Sequence, residues 1–304
     1  LFAEAGSPVG EAIVERARGD AEFARARYPQ AEARYQKAAR DLATAGLDLL
    51  AAQSRKAVGD CQLMQGNLDA AVAIYEPVLA LARSVGDHRT IVTTLSSLGG
   101  QFIVRGSLDL AERALREARE EALGLGNPVL LAGLTVNLAS VLDESGRHGE
   151  SRALAEEALA LARDLRDEQI EAKALLLLAN GQYYEGRLED AILNYREVVN
   201  SAPLASASGT PLGNARLGLA QLLRESGRLK EALASADEAV AVNRAASQRV
   251  LLGYSLVERA RVRADLALDT DAATDLDEAQ KVASDPAPPL DDLLRDLGPG
   301  RAAI

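Results

Sequence analysis

A glycine that recurs about every 40 residues is the feature that most constrains how this chain can fold. The first three intervals are 40 residues and the fourth is 41, in the series Gly66, Gly106, Gly146, Gly186 and Gly227. A fixed period of this length predicts a stack of similar structural units, each of which contacts mainly its neighbours. Such stacks usually work by presenting a surface, so the sequence says more about architecture than about a partner.

Two further series of small residues keep the same register. The first is Gly19, Gly59, Gly99, Ala139, Ala179, Ala220 and Ala260, and the second is Ala31, Ala71, Ala111, Ser151, Ala191, Ala232 and Ala272. Seven units therefore account for nearly the whole chain of 304 residues. We expect the small residue of the first series to face the small residue of the second, because closely packed elements leave no room for larger side chains.

Each unit is predicted to be a hairpin of two helices. Within residues 47–86, apolar residues recur at three- and four-residue steps on both sides of Gly66, which is typical of amphipathic helices. Gly66 can adopt the left-handed conformation that ends a helix. The first and last units carry Ala26 and Ala267 instead of the turn glycine. Terminal units of a stack are expected to be atypical, because one of their faces meets water.

Composition limits the classes of partner. Apolar residues make up 48% and charged residues 26%, so the chain can bury a core, and the net charge of −11 repels nucleic-acid backbones. No stretch of 18 apolar residues is present, which predicts no membrane span. The lone Cys61 excludes an internal disulfide, and the default expectation is a cytoplasmic protein. Because the chain begins at Leu1 and its only methionine is Met64, we expect a processed chain or a piece of a longer one.

The sequence contains no recognisable catalytic or metal-binding motif. His88 and His148 fall in turns, and with Cys61 they lack the arrangement of a metal-binding motif. Neither a Gly-x4-Gly-Lys-Ser/Thr phosphate loop nor a Gly-x-Ser-x-Gly elbow occurs. Paired carboxylates at 120–121 and 156–157 are interpreted as solvated helix faces. We therefore predict that the chain is not an enzyme and uses no cofactor.

The turn and its surroundings resemble the tetratricopeptide repeat. The pattern of a small residue, six others, Gly, one other, Leu, two others and Ala is complete at Gly99, Gly106 and Ala111, and Leu115 and Ala118 follow where expected. The resemblance covers roughly residues 8–285 and implies an all-α, right-handed superhelical solenoid of about seven helix-turn-helix repeats. Its repeats are expected at 8–46, 47–86, 87–126, 127–166, 167–207, 208–247 and 248–285. They are longer than the usual unit of about 34 residues.

Two segments fall outside the regular pattern. The loop 201–213 carries two prolines and the single-residue insertion, so it is either a long linker, a hinge or a binding loop. The solenoid domain is expected over 1–285. The remaining residues, 286–304, are a Pro-rich tail or a short capping helix, with a linker or a docking motif as alternatives.

The family resemblance places the first helix of each repeat on the concave groove. Helix periodicity then points to the residues around the small position. Units one to three would present an apolar lining without large polar groups, formed by Phe23, Leu63, Met64, Ile103 and Val104. Units four to six would present a polar and aromatic lining for a peptide or protein, formed by Asn137, Lys173, Asn180, Tyr183, Tyr184, Asn214, Gln221 and Arg224.

The chemistry of these side chains suits peptide recognition. Amides can donate to and accept from a peptide backbone, tyrosines supply rigid contact area, and Lys173 and Arg224 could hold a carboxylate. Alternatively, Tyr183 and Tyr184 only fill space between helices, the groove amides bond to one another, and the apolar residues of units one to three pack against a capping segment. The carboxylate clamp of chaperone-binding members is not reproduced, since Arg16 and Lys56 are suitable but Ser96, Ser97 and Gly100 follow.

Three functions remain open at this point. The first is an interaction module that holds a segment of another protein in its groove. The second is a regulatory or sensor domain that acts in cis within a larger bacterial protein, such as a transcription activator, a kinase or a caspase-like protease. The third is a scaffold that associates with itself along the stack.

Overall fold

The computed structural model describes residues 7–201 and 210–284, and these residues form helices joined by short turns. They divide into two compact parts of several repeats each, with the division between Gly146 and Arg147. From here on, 'first unit' and 'second unit' mean these two parts, and the 40-residue units are called repeats. The helices of the first unit are α1 (Pro8–Ala24), α2 (Tyr28–Thr44), α3 (Asp48–Met64), α4 (Leu68–Val85), α5 (His88–Val104), α6 (Leu108–Leu125) and α7 (Pro128–Glu144).

The second unit continues with the same spacing of helices. Its members are α8 (His148–Leu165), α9 (Glu168–Tyr184), α10 (Leu188–Ser201), α11 (Thr210–Glu225), α12 (Leu229–Ala245), α13 (Arg249–Asp265) and α14 (Asp269–Ser284). Odd-numbered helices are the first helices of the predicted repeats and are called A helices below; even-numbered ones are called B helices. The all-α fold of helix-turn-helix repeats is thus confirmed. The extent of a single domain over 1–285 stays a prediction, and the tail 286–304 and most of the loop 201–213 lie outside the described residues.

The recurring glycines end the A helices as the sequence predicts. Gly66, Gly106, Gly146, Gly186 and Gly227 all have φ between 69° and 81°. Ala26 and Ala267, which replace the turn glycine in the first and last repeats, adopt the same conformation with φ of 56° and 58°. A residue with a Cβ is strained in this left-handed region, by about 1–2 kcal/mol. The turn geometry is therefore kept even where the favourable residue is missing.

The small residue of the A helix receives a large side chain of the paired B helix. A Cβ added at Gly19 or Gly59 would lie 2.6 Å from the ring of Tyr35 or Tyr75, respectively. At Gly99 the added atom would lie 2.7 Å from Leu115. The closest neighbour is therefore the residue sixteen positions later. That the two small series face each other stays a prediction.

Each of these buried tyrosines also makes a polar contact at the tip of its ring. The Tyr35 hydroxyl donates to Asp20 and the Tyr75 hydroxyl donates to Asp60, both at 2.7 Å. Burial, together with the adjacent carboxylate, raises the pKa of both phenols. The acceptor always stands fifteen residues before the tyrosine. This pairing fixes the roll of the B helix on its A helix, because the ring is held at both its face and its tip.

The last repeat buries a carboxylate between its two helices. Asp275 is almost fully buried and accepts hydrogen bonds from Arg259 at 2.6 Å and from Arg263 at 2.7 Å. Hydrogen bonds from two arginines compensate the cost of burying this carboxylate. The atypical composition predicted for this terminal repeat therefore has a structural basis in an ion-paired core.

Candidate functional site

The A helices of successive repeats come into contact within each unit. In the first unit α3 contacts α5 and α5 contacts α7, and in the second α9 contacts α11 and α11 contacts α13. The accessible side chains of the A helices in one unit therefore form a continuous surface. We call this surface the A-helix face of that unit. All eight of the residues that the sequence singled out lie on A helices.

Tyr183, Gln221 and Glu225 form a hydrogen-bonded cluster that joins two repeats of the second unit. The Tyr183 hydroxyl donates to a carboxylate oxygen of Glu225 at 3.2 Å and accepts from the amide nitrogen of Gln221 at 3.3 Å. That nitrogen also donates to Glu225 at 3.1 Å. Burial, assisted by the Glu225 charge, raises the pKa of Tyr183. Tyr183 and Gln221 are thus brought together, in a preorganised arrangement that spans α9 and α11.

Tyr184 extends this cluster with an exposed aromatic surface. It is 64% exposed, and its ring stacks on that of His148 with centroids 4.5 Å apart and planes 17° apart. The Tyr183 ring lies beside it, with centroids 5.4 Å apart. A large apolar ring held in place yet facing solvent is suited to bind a partner side chain. The alternative that both tyrosines only fill space between helices therefore does not describe Tyr184.

Asn180 forms a hydrogen bond between the two helices of its own repeat. Its side-chain oxygen accepts a hydrogen bond from the Tyr195 hydroxyl at 2.6 Å, which is the same pairing that Asp20 and Asp60 make in the first unit. Its amide nitrogen makes no hydrogen bond to the described residues and is able to donate to a ligand. The expectation that groove amides bond to one another is not met here, because the partner is a tyrosine of the B helix. This role was readable in the sequence from the fifteen-residue spacing between Asn180 and Tyr195.

Arg224 is already paired with carboxylates of the protein. Its Nε donates to Glu258 at 2.6 Å, and its guanidinium lies 3.6 Å from Asp265. Burial acts to lower the pKa of Arg224, but the hydrogen bond and charge of Glu258 outweigh it and raise the pKa. The Glu258 side chain is almost fully buried, so this ion pair is part of the structure. Arg224 is therefore poorly suited to hold a carboxylate of a ligand.

The remaining predicted residues lie apart from the Tyr183 cluster. Lys173 on α9 is exposed and Asn214 on α11 is half-buried, and within the described ranges neither bonds to Tyr183. Asn137 belongs to α7 in the first unit. There it lines a cavity of about 310 Å³ together with Lys56 and Ser97.

The A-helix face of the first unit also contains a larger, polar cavity that the sequence reading missed. Its volume is about 440 Å³, and it is lined by Arg16, Gln53, Lys56, Arg89, Thr90 and Thr93. The expected lining without large polar groups is therefore wrong for this part of the face. The apolar residues Met64 and Val104 stand at the C-terminal ends of α3 and α5, whereas the cavity is lined from the N-terminal halves of these two helices.

Other chemistry is sparse in the described part of the chain. Among residues 7–201 and 210–284, no group of three His, Cys, Asp or Glu side chains is arranged to hold a metal ion. Burial raises the pKa of the Cys61 thiol to about 12, so this thiol stays protonated and unreactive near neutral pH. His88 contacts Glu121 at 2.6 Å. None of the described helices is long and apolar enough to cross a membrane.

Sequence comparison identifies the repeat in the middle of the chain. A profile of the tetratricopeptide repeat matches residues 130–203. No curated protein sequence matches the chain.

Solved structures share the fold along nearly the whole chain, at low sequence identity. A signal-transduction ATPase with a tetratricopeptide repeat sensor from Pyrococcus horikoshii superposes with a TM-score of 0.75 at 14% identity, over 95% of this chain and 44% of that one. This chain thus spans less than half of that protein. The apo quorum sensor NprR from B. thuringiensis gives a TM-score of 0.70 at 14% identity, over 94% and 80% of the two chains.

A third similar structure was solved with its ligand. A Rap protein complexed with Competence and Sporulation Factor gives a TM-score of 0.60 at 16% identity, over 97% of this chain and 78% of that one. At these identities the likeness establishes the fold and not the ligand.

Proposed function

We propose that this chain, a tetratricopeptide-repeat protein, is a non-catalytic interaction module that binds a peptide or protein segment on the A-helix face of its second unit. The single observation that supports this most is the cluster of Tyr183, Gln221 and Glu225, extended by the exposed ring of Tyr184. The cluster is held by hydrogen bonds before any ligand arrives, which lowers the entropy cost of binding. We also propose that this chain acts in the cytoplasm.

The proposed contacts divide between aromatic and polar groups. Tyr184 and the edge of Tyr183 would pack against an apolar or planar side chain of the partner, while Asn180 and Gln221 would bond its backbone. Lys173, which is exposed, would contact an acidic group. Arg224 would act indirectly, by holding α11 and α13 together through Glu258.

A second candidate is a sensor domain that acts in cis within a longer protein. It is favoured by the likeness to the sensor-bearing ATPase of Pyrococcus horikoshii, of which this chain spans 44%. In that case the A-helix face would bind an effector or a neighbouring domain of the same polypeptide. Both candidates use the same surface, so the nature of the captured molecule separates them.

The test is affinity capture from a lysate of the source organism with the immobilised chain, read by mass spectrometry. The variant Lys173→Ala/Tyr184→Ala removes two exposed side chains of the A-helix face, so it should fold normally. The matched control is Leu193→Ala/Lys230→Ala, which removes one large apolar and one cationic exposed side chain from B helices of the same unit.

We expect a partner that the parent and the control retain and that the A-helix variant loses. A partner captured equally by all three proteins would contradict the proposed surface. No specific partner with any of them would favour the sensor in cis.

A further inference from the structure

We propose that the A-helix face of the first unit holds a second site, which binds the side-chain carboxylates of an acidic peptide segment through Arg16, Lys56 and Arg89. The inference rests on the proposed function in taking the ligand to be a peptide. It adds the chemistry of that ligand and a surface formed by other residues. Its basis is the polar cavity of about 440 Å³ described above.

The three cations come from three successive A helices and meet at one cavity. Arg16 lies on α1, Lys56 on α3 and Arg89 on α5. Arg16 and Lys56 occupy the same position in consecutive repeats, 40 residues apart, whereas Arg89 stands at the start of its helix. Because none of the described residues that line this cavity is a carboxylate, its positive charge is locally concentrated. That concentration is unusual in a chain whose net charge is −11.

Two of these cations lack a carboxylate partner. The Arg16 guanidinium donates to the neutral side-chain oxygen of Gln53 at 3.2 Å. Within the described residues, the Arg89 guanidinium has no carboxylate at ion-pair distance. A guanidinium presents two parallel N–H groups in the geometry that a carboxylate accepts. These two arginines are therefore the groups best placed to bind an incoming carboxylate.

The carboxylates nearest to the cavity are engaged by the protein. Asp60 pairs with Lys56 at 2.9 Å and also accepts the Tyr75 hydroxyl. Asp87 caps α5 by accepting from the Thr90 backbone N–H, and it also accepts from Gln53 at 3.2 Å. Lys56 is thus partly neutralised, and it would contribute less to binding than the two arginines.

A second cavity, lined in part by the same residues, provides contacts for an extended chain. The neighbouring cavity of about 310 Å³ shares Lys56 and Thr93 with the first and adds the polar groups of Ser96, Ser97 and Asn137. Hydroxyl and amide groups can bond the backbone of a peptide whose carboxylate lies between the arginines. The pair of cavities crosses α1, α3, α5 and α7, so a segment of several residues fits the site better than a small free anion.

The experiment measures fluorescence anisotropy of a rhodamine-labelled, C-terminally amidated Gly-Ser peptide that carries several glutamates, with the glutamine version as the reference. Amidation removes the terminal carboxylate, so only side chains can supply the charge. The variant Arg16→Gln/Arg89→Gln is compared with the control Arg40→Gln/Arg55→Gln, which removes the same charge from exposed arginines at a different cavity of the first unit.

We expect the glutamate peptide to bind the parent more tightly than the glutamine peptide, and to weaken as salt is added. The Arg16/Arg89 variant should bind about tenfold more weakly, since each partly exposed ion pair contributes modestly. The control should stay within about twofold of the parent. Arg89→Gln alone, which breaks no side-chain bond within the described residues, should still weaken binding if the double variant fails to fold.

Three results would overturn the inference. They are equal loss in the two double variants, no preference for the glutamate peptide, and displacement of the peptide by inorganic phosphate at a similar concentration. The two proposals can fail separately. If the glutamate peptide does not bind, a partner that is captured by the parent and lost by Lys173→Ala/Tyr184→Ala would still support the proposed function. If no such partner is captured, binding of the peptide through Arg16 and Arg89 would still support the second site.

Discussion

Replacing Gly59 by alanine should destabilise the protein, although the same replacement at Gly100 should stabilise it. Both glycines lie inside A helices, at α3 and α5. A Cβ at position 59 would lie 2.6 Å from Cε1 of the Tyr75 ring, whereas a Cβ at position 100 would meet no atom within 4 Å. Tyr75 cannot easily move away, because its ring is fully buried and its hydroxyl is bonded to Asp60 at 2.7 Å.

The expected magnitudes follow from two opposing terms. Alanine in a helix interior is more favourable than glycine by about 0.5–1 kcal/mol, and both variants gain this amount. Overpacking a filled core costs about 1–3 kcal/mol, and only Gly59→Ala incurs this cost. We therefore expect Gly100→Ala to gain about 0.5–1 kcal/mol and Gly59→Ala to lose up to about 2 kcal/mol of unfolding free energy.

Urea unfolding followed by far-UV circular dichroism measures both variants. Repeat proteins do not always unfold in one step, so the slope of each transition has to be compared with that of the parent before the midpoints are converted into free energies. A rise in midpoint for Gly59→Ala equal to that for Gly100→Ala would refute the argument. It would mean that the tyrosine ring does not fill the space above the glycine.

Three further changes test other parts of the structure. Ala267→Gly should raise the unfolding free energy by about 0.5–1 kcal/mol, because glycine relieves the left-handed strain but adds entropy to the unfolded chain; a lower thermal midpoint would contradict this. Arg224→Ala should cost about 2–3 kcal/mol in the same assay, because it leaves the buried Glu258 short of its main partner, and an unchanged midpoint would show that this ion pair is dispensable. The hydrogen bond from Arg34 holds the pKa of Glu15 below its ordinary value against the effect of burial. This pair therefore stabilises the fold above the unfolded-state pKa of Glu15, and the stabilisation is lost as the pH falls through the lower, folded-state pKa. Glu15→Gln should make the unfolding free energy fall less in acid, and a pH profile identical to that of the parent would exclude this role.

Much of the fold could be predicted because its determinants are local. A helix is visible as a three- and four-residue spacing of apolar positions, and its end is visible as a glycine such as Gly66 that adopts positive φ. The same turn geometry at Ala26 and Ala267 shows that the repeat imposes it even without glycine. The sequence could not identify which side chain fills the space above Gly59, since Ala71 and Tyr75 lie one turn apart on the B helix.

The candidate sites were predicted only in part, because the sequence places a residue on a face without assigning its partner. Tyr183 and Gln221 were both expected on the A-helix face, and the structure adds that Glu225 joins them. Arg224 was expected to be available to a ligand, yet Glu258 of the next A helix occupies it. The partner is 34 residues away in the next repeat, and helix periodicity alone does not assign a contact between side chains of two repeats.

The sequence by itself determined the spacing and pairing of the described helices, since these follow from a 40-residue period and from the conformational preferences of single residues. Only the tertiary structure decided which charges are neutralised and which remain available. Whether an arginine is free depends on carboxylates that neighbouring helices bring within a few ångströms, and electrostatic pairing is that short in range when it competes with water. Arg224 is bound to Glu258, whereas Arg89 lines a cavity to which the described residues contribute no carboxylate.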